Sequence, residues 1–511
     1  MNKTSISLAA VSTLTLAIAI PAMAQDDEAP TAPPPNPQSF EASGPAKNNN
    51  GAGFLQKKFN LSQEEANRRL DQQAEAEALG VSLAEQYPDA FLGLEIQHQP
   101  YKVILSMASD QFDAQVRQAI PANLRSVLQI RRSRFQVGEP EALRSELVEA
   151  LSGLEYSLSF DYTRDRFIIT TPEARQADVR ARIPARTNAL VEVRTGEAPS
   201  TFQTNATSAD YISAGWLHYS NAGPNYYCTF AFMGRDQTGT QSLLTAEHCQ
   251  TSVSERRRNN QSANNKIITF ALPTSDRYYR YGYDSGIRRS YDFRLIPAPT
   301  VGSGPWVWFT NPRTNSYQKG RQDRNSSSGW SYDTISYTNQ YSGLPSSGYV
   351  ATVGTSGAGT TTGVYNPGHP TGAVRCKSGG TTGTTCGLIT ESTVYYFNED
   401  DNVVMDGLVR VGSSDQPVIA WQGDSGGPIF TQPRWNSTYQ RYEVSASGIM
   451  HAGGWYNINP VNPSLGKRPC DRRYDNVDQC TYVYMPIDRV NDFAPFTIAL
   501  MEGDAVVYRA P

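Results

Sequence analysis

The sequence predicts a large all-β domain preceded by a smaller α+β domain, and three observations predict it. The texture shifts between Val193 and Asp210, beyond which Gly, Ser, Thr, Tyr and Asn dominate and helical periodicity all but vanishes. Many short strands broken by turns argue for a barrel or a sandwich. All six cysteines, Cys228, Cys249, Cys376, Cys386, Cys470 and Cys480, lie beyond that shift, and only Lys266, Lys319, Lys377 and Lys467 follow residue 200. Before the shift, helix-period and strand-like segments alternate without a single cysteine.

The elements follow in order. A basic start at Lys3, an apolar run over 6–20 and Ala-Met-Ala at 22–24 form an export signal, residues 1–24. The apolar run is shorter than the roughly 20 residues a membrane-spanning helix needs. Residues 25–52, rich in Pro, Ala, Asn and acidic residues, form a disordered linker. Residues 53–200 form the α+β unit, with apolar residues every three or four positions over 62–85, 110–119 and 139–151. Strands are expected at 91–96, 102–107, 126–130, 156–161 and 166–171. Residues 201–511 form the all-β unit. Six cysteines permit 15 pairings in principle, but they lie in three local pairs and none has the CxxC spacing of a zinc site. The net charge of −4 gives no reason to expect a nucleic-acid partner.

Chemistry concentrates in Gly423-Asp424-Ser425-Gly426-Gly427-Pro428. Glycines let a backbone close around a reacting carbonyl and aim N–H groups at it. A serine needs a base, and the base needs an orienting partner. Among His98, His218, His248, His369 and His451, His248 stands out: it ends the apolar run Leu243-Leu244-Thr245-Ala246-Glu247 and adjoins Cys249.

Thr245-Ala246-Glu247-His248-Cys249, the serine turn, and Cys376-Lys377-Ser378-Gly379-Gly380-Thr381-Thr382-Gly383-Thr384-Thr385-Cys386-Gly387 together resemble the chymotrypsin-fold serine peptidases. Within that family they are similar to the bacterial branch of α-lytic protease and the streptogrisins. The resemblance spans roughly residues 210–500. It implies two antiparallel β-barrels, about 210–335 and 336–500, with a C-terminal helix, and it implies that the α+β unit is a pro-region. It assigns Ser425 as nucleophile, His248 as general base, and the amides of Gly423 and Ser425 as oxyanion hole. The triad order requires an aspartate between them: Asp292 is favoured, with Asp284 its rival. The resemblance implies bridges Cys228–Cys249 and Cys376–Cys386, leaving Cys470 for Cys480. It also implies a buried cation for Asp424, with Lys377 favoured and Arg375 the alternative. Glu247 replaces the small residue usual in the family and is expected to face away from the triad.

The substrate pocket is expected to involve Ile419, Gln422, Met450, His451 and Gly453, favouring an apolar side chain, with His451 opening an acidic alternative. The stretch 297–349 is the expected source of added loops. An α/β-hydrolase also uses Gly-x-Ser-x-Gly, but needs Ser…Asp…His order and alternating strands and helices, which are missing here. A secreted, monomeric endopeptidase follows, whose partners are polypeptide substrates and its own pro-region as folding aid and inhibitor. No cofactor, metal, nucleic acid or membrane insertion is expected. The alternative is an inactive binding protein on the same fold.

Overall fold

The computed structural model describes residues 50–196 throughout. Between 212 and 510 it describes the strands and the turns around the site, leaving out chiefly 216, 220–226, 250–253, 259–267, 272–278, 285–288, 298–302, 311–314, 320–330, 336–346, 357–365, 399–402, 415–417, 458–466 and 471–479. The signal at 1–24, nearly all of the linker, residues 197–211, Gln422 and most of the 297–349 stretch lie outside the described residues.

Helix α1 (Asn50–Phe59) opens the described chain, starting inside the stretch assigned to the linker. Helix α2 (Gln63–Gln86) begins where Ser62 accepts a hydrogen bond from the Glu65 amide at 3.1 Å, with Glu64 and Glu65 in the first turn. Strands β1 (Phe91–His98) and β2 (Tyr101–Met107), helix α3 (Asp113–Ala119), strand β3 (Leu128–Arg132) and helix α4 (Glu139–Ala150) follow. Strands β4 (Tyr156–Asp161) and β5 (Arg166–Thr171), helix α5 (Gln176–Arg182) and strand β6 (Val191–Thr195) complete the unit. Strands β1, β2 and β3 form one sheet. The helix and strand over 176–182 and 191–195 add to those the sequence predicts; both are short and charged.

The all-β part contains β7 (Met233–Asp236), β8 (Gln241–Thr245), β9 (Tyr279–Asp284), β10 (Arg289–Pro297), β11 (Ser303–Thr310), β12 (Ser347–Thr355) and β13 (Val374–Gly379). Then come β14 (Gly383–Asn398), β15 (Val403–Gly412), β16 (Pro428–Phe430), β17 (Arg441–Gly453), β18 (Tyr482–Pro486), β19 (Phe496–Glu502) and β20 (Ala505–Arg509). The first sheet has six strands in the order β9-β10-β8-β7-β19-β20. The second closes on itself: β14 pairs β15, β15 pairs β18, β18 pairs β17, β17 pairs β16, β16 pairs β13, and β13 pairs β14. Closure settles the barrel-or-sandwich alternative for this half. Strands β11 and β12 extend this second sheet through β17, while the chain's last two strands return to the first. The expected C-terminal helix is a single turn, Val490–Phe493, because Phe496 onward pairs with β7 instead.

The two units share a sheet. Strand β4 pairs antiparallel with β14, setting Tyr395, Tyr396 and Phe397 against Leu158, Ser157 and Tyr156. Beside this seam α2 buries Glu77 on Arg375 at 2.9 Å, and Gln73 accepts from the Val374 amide at 2.7 Å. Arg144 of α4 meets Asp406 of β15 at 2.6 Å, again without solvent. His98, at the end of β1, sits 2.9 Å from the carbonyl of Gly372.

Candidate active site

Antiparallel register positions the first two groups. Strand β8 pairs with β10 so that Thr245 faces Arg294. Two residues along β10, Asp292 therefore lies beneath the turn that follows β8, in which the Cys249 amide returns to the Ala246 carbonyl. Asp292 Oδ1 accepts the amides of Glu247 at 2.8 Å and His248 at 3.1 Å, and Oδ2 stands 2.7 Å from His248 Nδ1. The bridge Cys228–Cys249 ties the far side of the turn. Asp284 ends the neighbouring β9, where its backbone pairs with Arg289.

Ser425 arrives from the second barrel. Gly423 and Gly426 hold φ angles of 88° and 78°, a region closed to most side chains. A Cβ on Gly426 would lie 2.2 Å from Thr245 Oγ1 and 2.4 Å from the Thr229 carbonyl, so the glycine lets the serine turn press against the strand that delivers His248. The amides of Asp424, Gly426 and Gly427 donate to Trp421, Met450 and Asp424 carbonyls. They alternate with those of Gly423 and Ser425, the pair the resemblance assigns to the oxyanion. Ser425 is fully buried, and its hydroxyl lies 3.4 Å from the His451 carbonyl.

Beneath the turn Lys377 Nζ stands 2.9 Å from Asp424 Oδ2, both side chains fully buried. Thr382 adds its hydroxyl to Oδ2 at 2.6 Å and its amide to Oδ1 at 3.1 Å, and the Trp421 amide reaches Oδ2 at 3.0 Å. Burial pushes the Lys377 ammonium down, against the pull of Asp424. Arg375, one residue before Cys376, points the other way and takes Glu77. The bridges Cys376–Cys386 and Cys470–Cys480 are both formed.

The pocket residues fall differently from expectation. Ile419 and Met450 are buried in one apolar cluster. Met450 also spends its amide and carbonyl on Gly427 and Gly426, bracing the serine turn. Gly453 ends β17, opposite Tyr482. His451, expected on the substrate wall, is fully buried with Nδ1 on Asp292 Oδ2 and Nε2 on the Tyr396 hydroxyl. The physical reason is a bulge. Met450 pairs with Tyr484 and Ala452 with the next residue along, Val483, so His451 is the extra residue and is turned inward.

Electrostatics follow the geometry. Burial alone would raise the Asp292 carboxyl, but the His248 and His451 imidazoles and their hydrogen bonds hold it well below the usual carboxylate range. The Glu247 carboxyl is pushed up, first by burial and then by the charge of Asp292. His248, Asp292 and His451 bring three ligand-type atoms within 4.8 Å of one another. Both imidazole Nδ1 atoms face one carboxylate oxygen, which is a hydrogen-bonded arrangement. Sequence reasoning missed Tyr396 and Thr382. The first has no local signal, whereas Thr382 stands inside the Cys376–Cys386 hairpin.

No protein-family model matches the sequence, and no curated protein does. Solved structures to which the chain is similar are serine proteases. Thermobifida fusca protease A has 18% identity and a TM-score of 0.29, covering 55% of this chain and 95% of its own. Nocardiopsis protease has 17% identity and a TM-score of 0.29, covering 55% and 96%. A glutamic acid specific serine protease, described as using a histidine triad in substrate binding, has 16% identity and a TM-score of 0.28, covering 55% and 96%.

Proposed function

We propose that the chain is an exported serine endopeptidase made as a precursor, with residues 53–200 as its pro-region. The observation that carries this is Asp292, whose two oxygens hold the His248 ring and the two amides at its base while the Gly423–Pro428 turn is seated on Thr245 of the same strand. With Asp292 ionised, His248 keeps its proton on Nδ1 and leaves Nε2 as the base. Ser425 Oγ attacks the peptide carbonyl as its proton passes to Nε2, and the amides of Gly423 and Ser425 receive the oxyanion. Collapse expels the amine, which takes the proton from His248. Water then repeats the sequence on the acyl-enzyme.

The engagement of His451 with Asp292 withdraws the support for an acidic preference, so an apolar side chain, selected beside Ile419, is the proposed specificity. Three disulfides support an oxidising destination. Among the described residues no helix is long and apolar enough to cross a membrane.

A fluorophosphonate probe tests the reaction. Labelling of the secreted product at Ser425, with loss of label and of peptide cleavage in Ser425→Ala, is expected. A secreted, folded product that neither labels nor cleaves would instead make the chain a binding protein on this fold.

A further inference from the structure

Asp292 has room for four hydrogen bonds, and all four are filled. Two amides occupy Oδ1, and the Nδ1 atoms of two imidazoles, His248 and His451, share Oδ2. The two rings meet edge to face with centroids 5.6 Å apart. Behind His451, the Tyr396 hydroxyl contacts Nε2. Two hydrogen-bond patterns fit this chain of groups. If Tyr396 donates, His451 is neutral, carries its proton on Nδ1 and leaves the Asp292 charge free for His248. If His451 takes a second proton, Tyr396 must turn from donor to acceptor, and the new cation neutralises Asp292 from behind.

We propose that His451, oriented by Tyr396, is a positioning residue of the catalytic centre: it fixes Asp292 opposite His248, and its protonation state sets how much negative charge Asp292 offers the base. This rests on the serine-peptidase reading above. The bulge that turns His451 inward and the full burial of Asp292, Tyr396 and His451 carry it. Among the described residues, the ionisable groups facing the pair are Asp292, His248 and Tyr396, with Glu247 beside Asp292 and Arg294 acting on Glu247. Two imidazoles share one carboxylate oxygen, so a proton taken up at either changes the charge the other faces. The acid limb of the pH–rate profile should therefore be steeper than one proton allows.

The test compares the secreted wild type with His451→Ala, His451→Asn and Tyr396→Phe. Asparagine can still donate to Asp292 but cannot titrate. His451→Ala should lower kcat by about 10- to 100-fold with little change in KM, the loss of one hydrogen bond to a charged group. His451→Asn should recover most of kcat at alkaline pH and reduce the acid limb to a single proton. Tyr396→Phe should move that limb while leaving KM alone. Unchanged kcat and an unchanged limb in the folded asparagine and phenylalanine variants would overturn the proposal, whatever the alanine variant does. Proton NMR of full-chain Ser425→Ala decides the geometry without any activity. Two imidazole protons at the low field of a carboxylate-bound Nδ1–H should be seen, one of them lost in Ser425→Ala/His451→Asn, and a low-field spectrum that the asparagine leaves unchanged overturns the proposal. A wild type without activity would thus sink the peptidase reading and leave this one still decided.

Discussion

Lys377 and Asp424 show what the serine turn costs to hold. A lone buried carboxylate is expensive, and here it is met by an ammonium, a hydroxyl and two amides. Lys377→Met would strand that charge, so a loss of about 3–5 kcal/mol is expected in denaturant unfolding of the secreted chain. Adding Asp424→Asn should recover part of it. An unfolding midpoint unmoved by Lys377→Met would show that the ammonium is dispensable. Residues of this kind were legible because glycine-rich turns and cysteine neighbours constrain them locally. His451 was not. Along the end of β17 every residue from Ala446 to Gly453 is buried, so alternation could not tell pocket from interior, and a bulge created by long-range pairing decided the matter.

Strand β1 carries two groups whose titrations oppose one another. Burial pushes the His98 imidazole down to about 4, only partly offset by the Gly372 carbonyl, with Arg69 and Lys58 adding to the depression. Below its ordinary 6.5 the unfolded chain takes up a proton that folded His98 refuses, so its contribution to stability is lost as pH falls from about 6.5 to about 4. Burial pushes the Glu95 carboxyl up to about 7, helped by Asp161 and opposed by Thr163, Arg164 and Arg131. Between 4.5 and about 7 the folded chain holds a proton the unfolded chain has given up, so that contribution is lost as pH rises. His98→Gln, which can still donate to Gly372, should flatten the acid fall in Tm, and Glu95→Gln should remove the loss toward neutrality. Melting curves across pH 4–7.5 check both, and identical slopes in variant and wild type would refute the assignment. The long helices and β-strands of this unit were legible from their period. Helix α5 and strand β6 were not, because segments of seven and five residues are too short to carry a periodic signal.

At the scale of the molecule, the α+β unit contributes to the framework of the β-rich half. Its removal before folding would leave Arg375 without Glu77, Asp406 without Arg144 and β14 without β4. Expression of residues 201–511 alone should therefore give little active enzyme, and co-expression of 25–200 should raise it. Abundant activity from 201–511 by itself would remove the folding role. The division near residue 200 was visible as a change of composition. The return of 496–509 to the first sheet was not, since pairing across some 260 residues leaves no mark on either strand.

On the proposed precursor reading, cleavage would free the N-terminal unit to leave, and with it β4 from its place beside β14. Its departure would uncover the main-chain donors and acceptors of Tyr395, Tyr396 and Phe397, an aromatic ribbon ready to accept any extended segment. Two released molecules can satisfy that ribbon on each other, and a passing unfolded chain can do so as well. On the proposed precursor reading, that edge would be where self-association begins in the cut product.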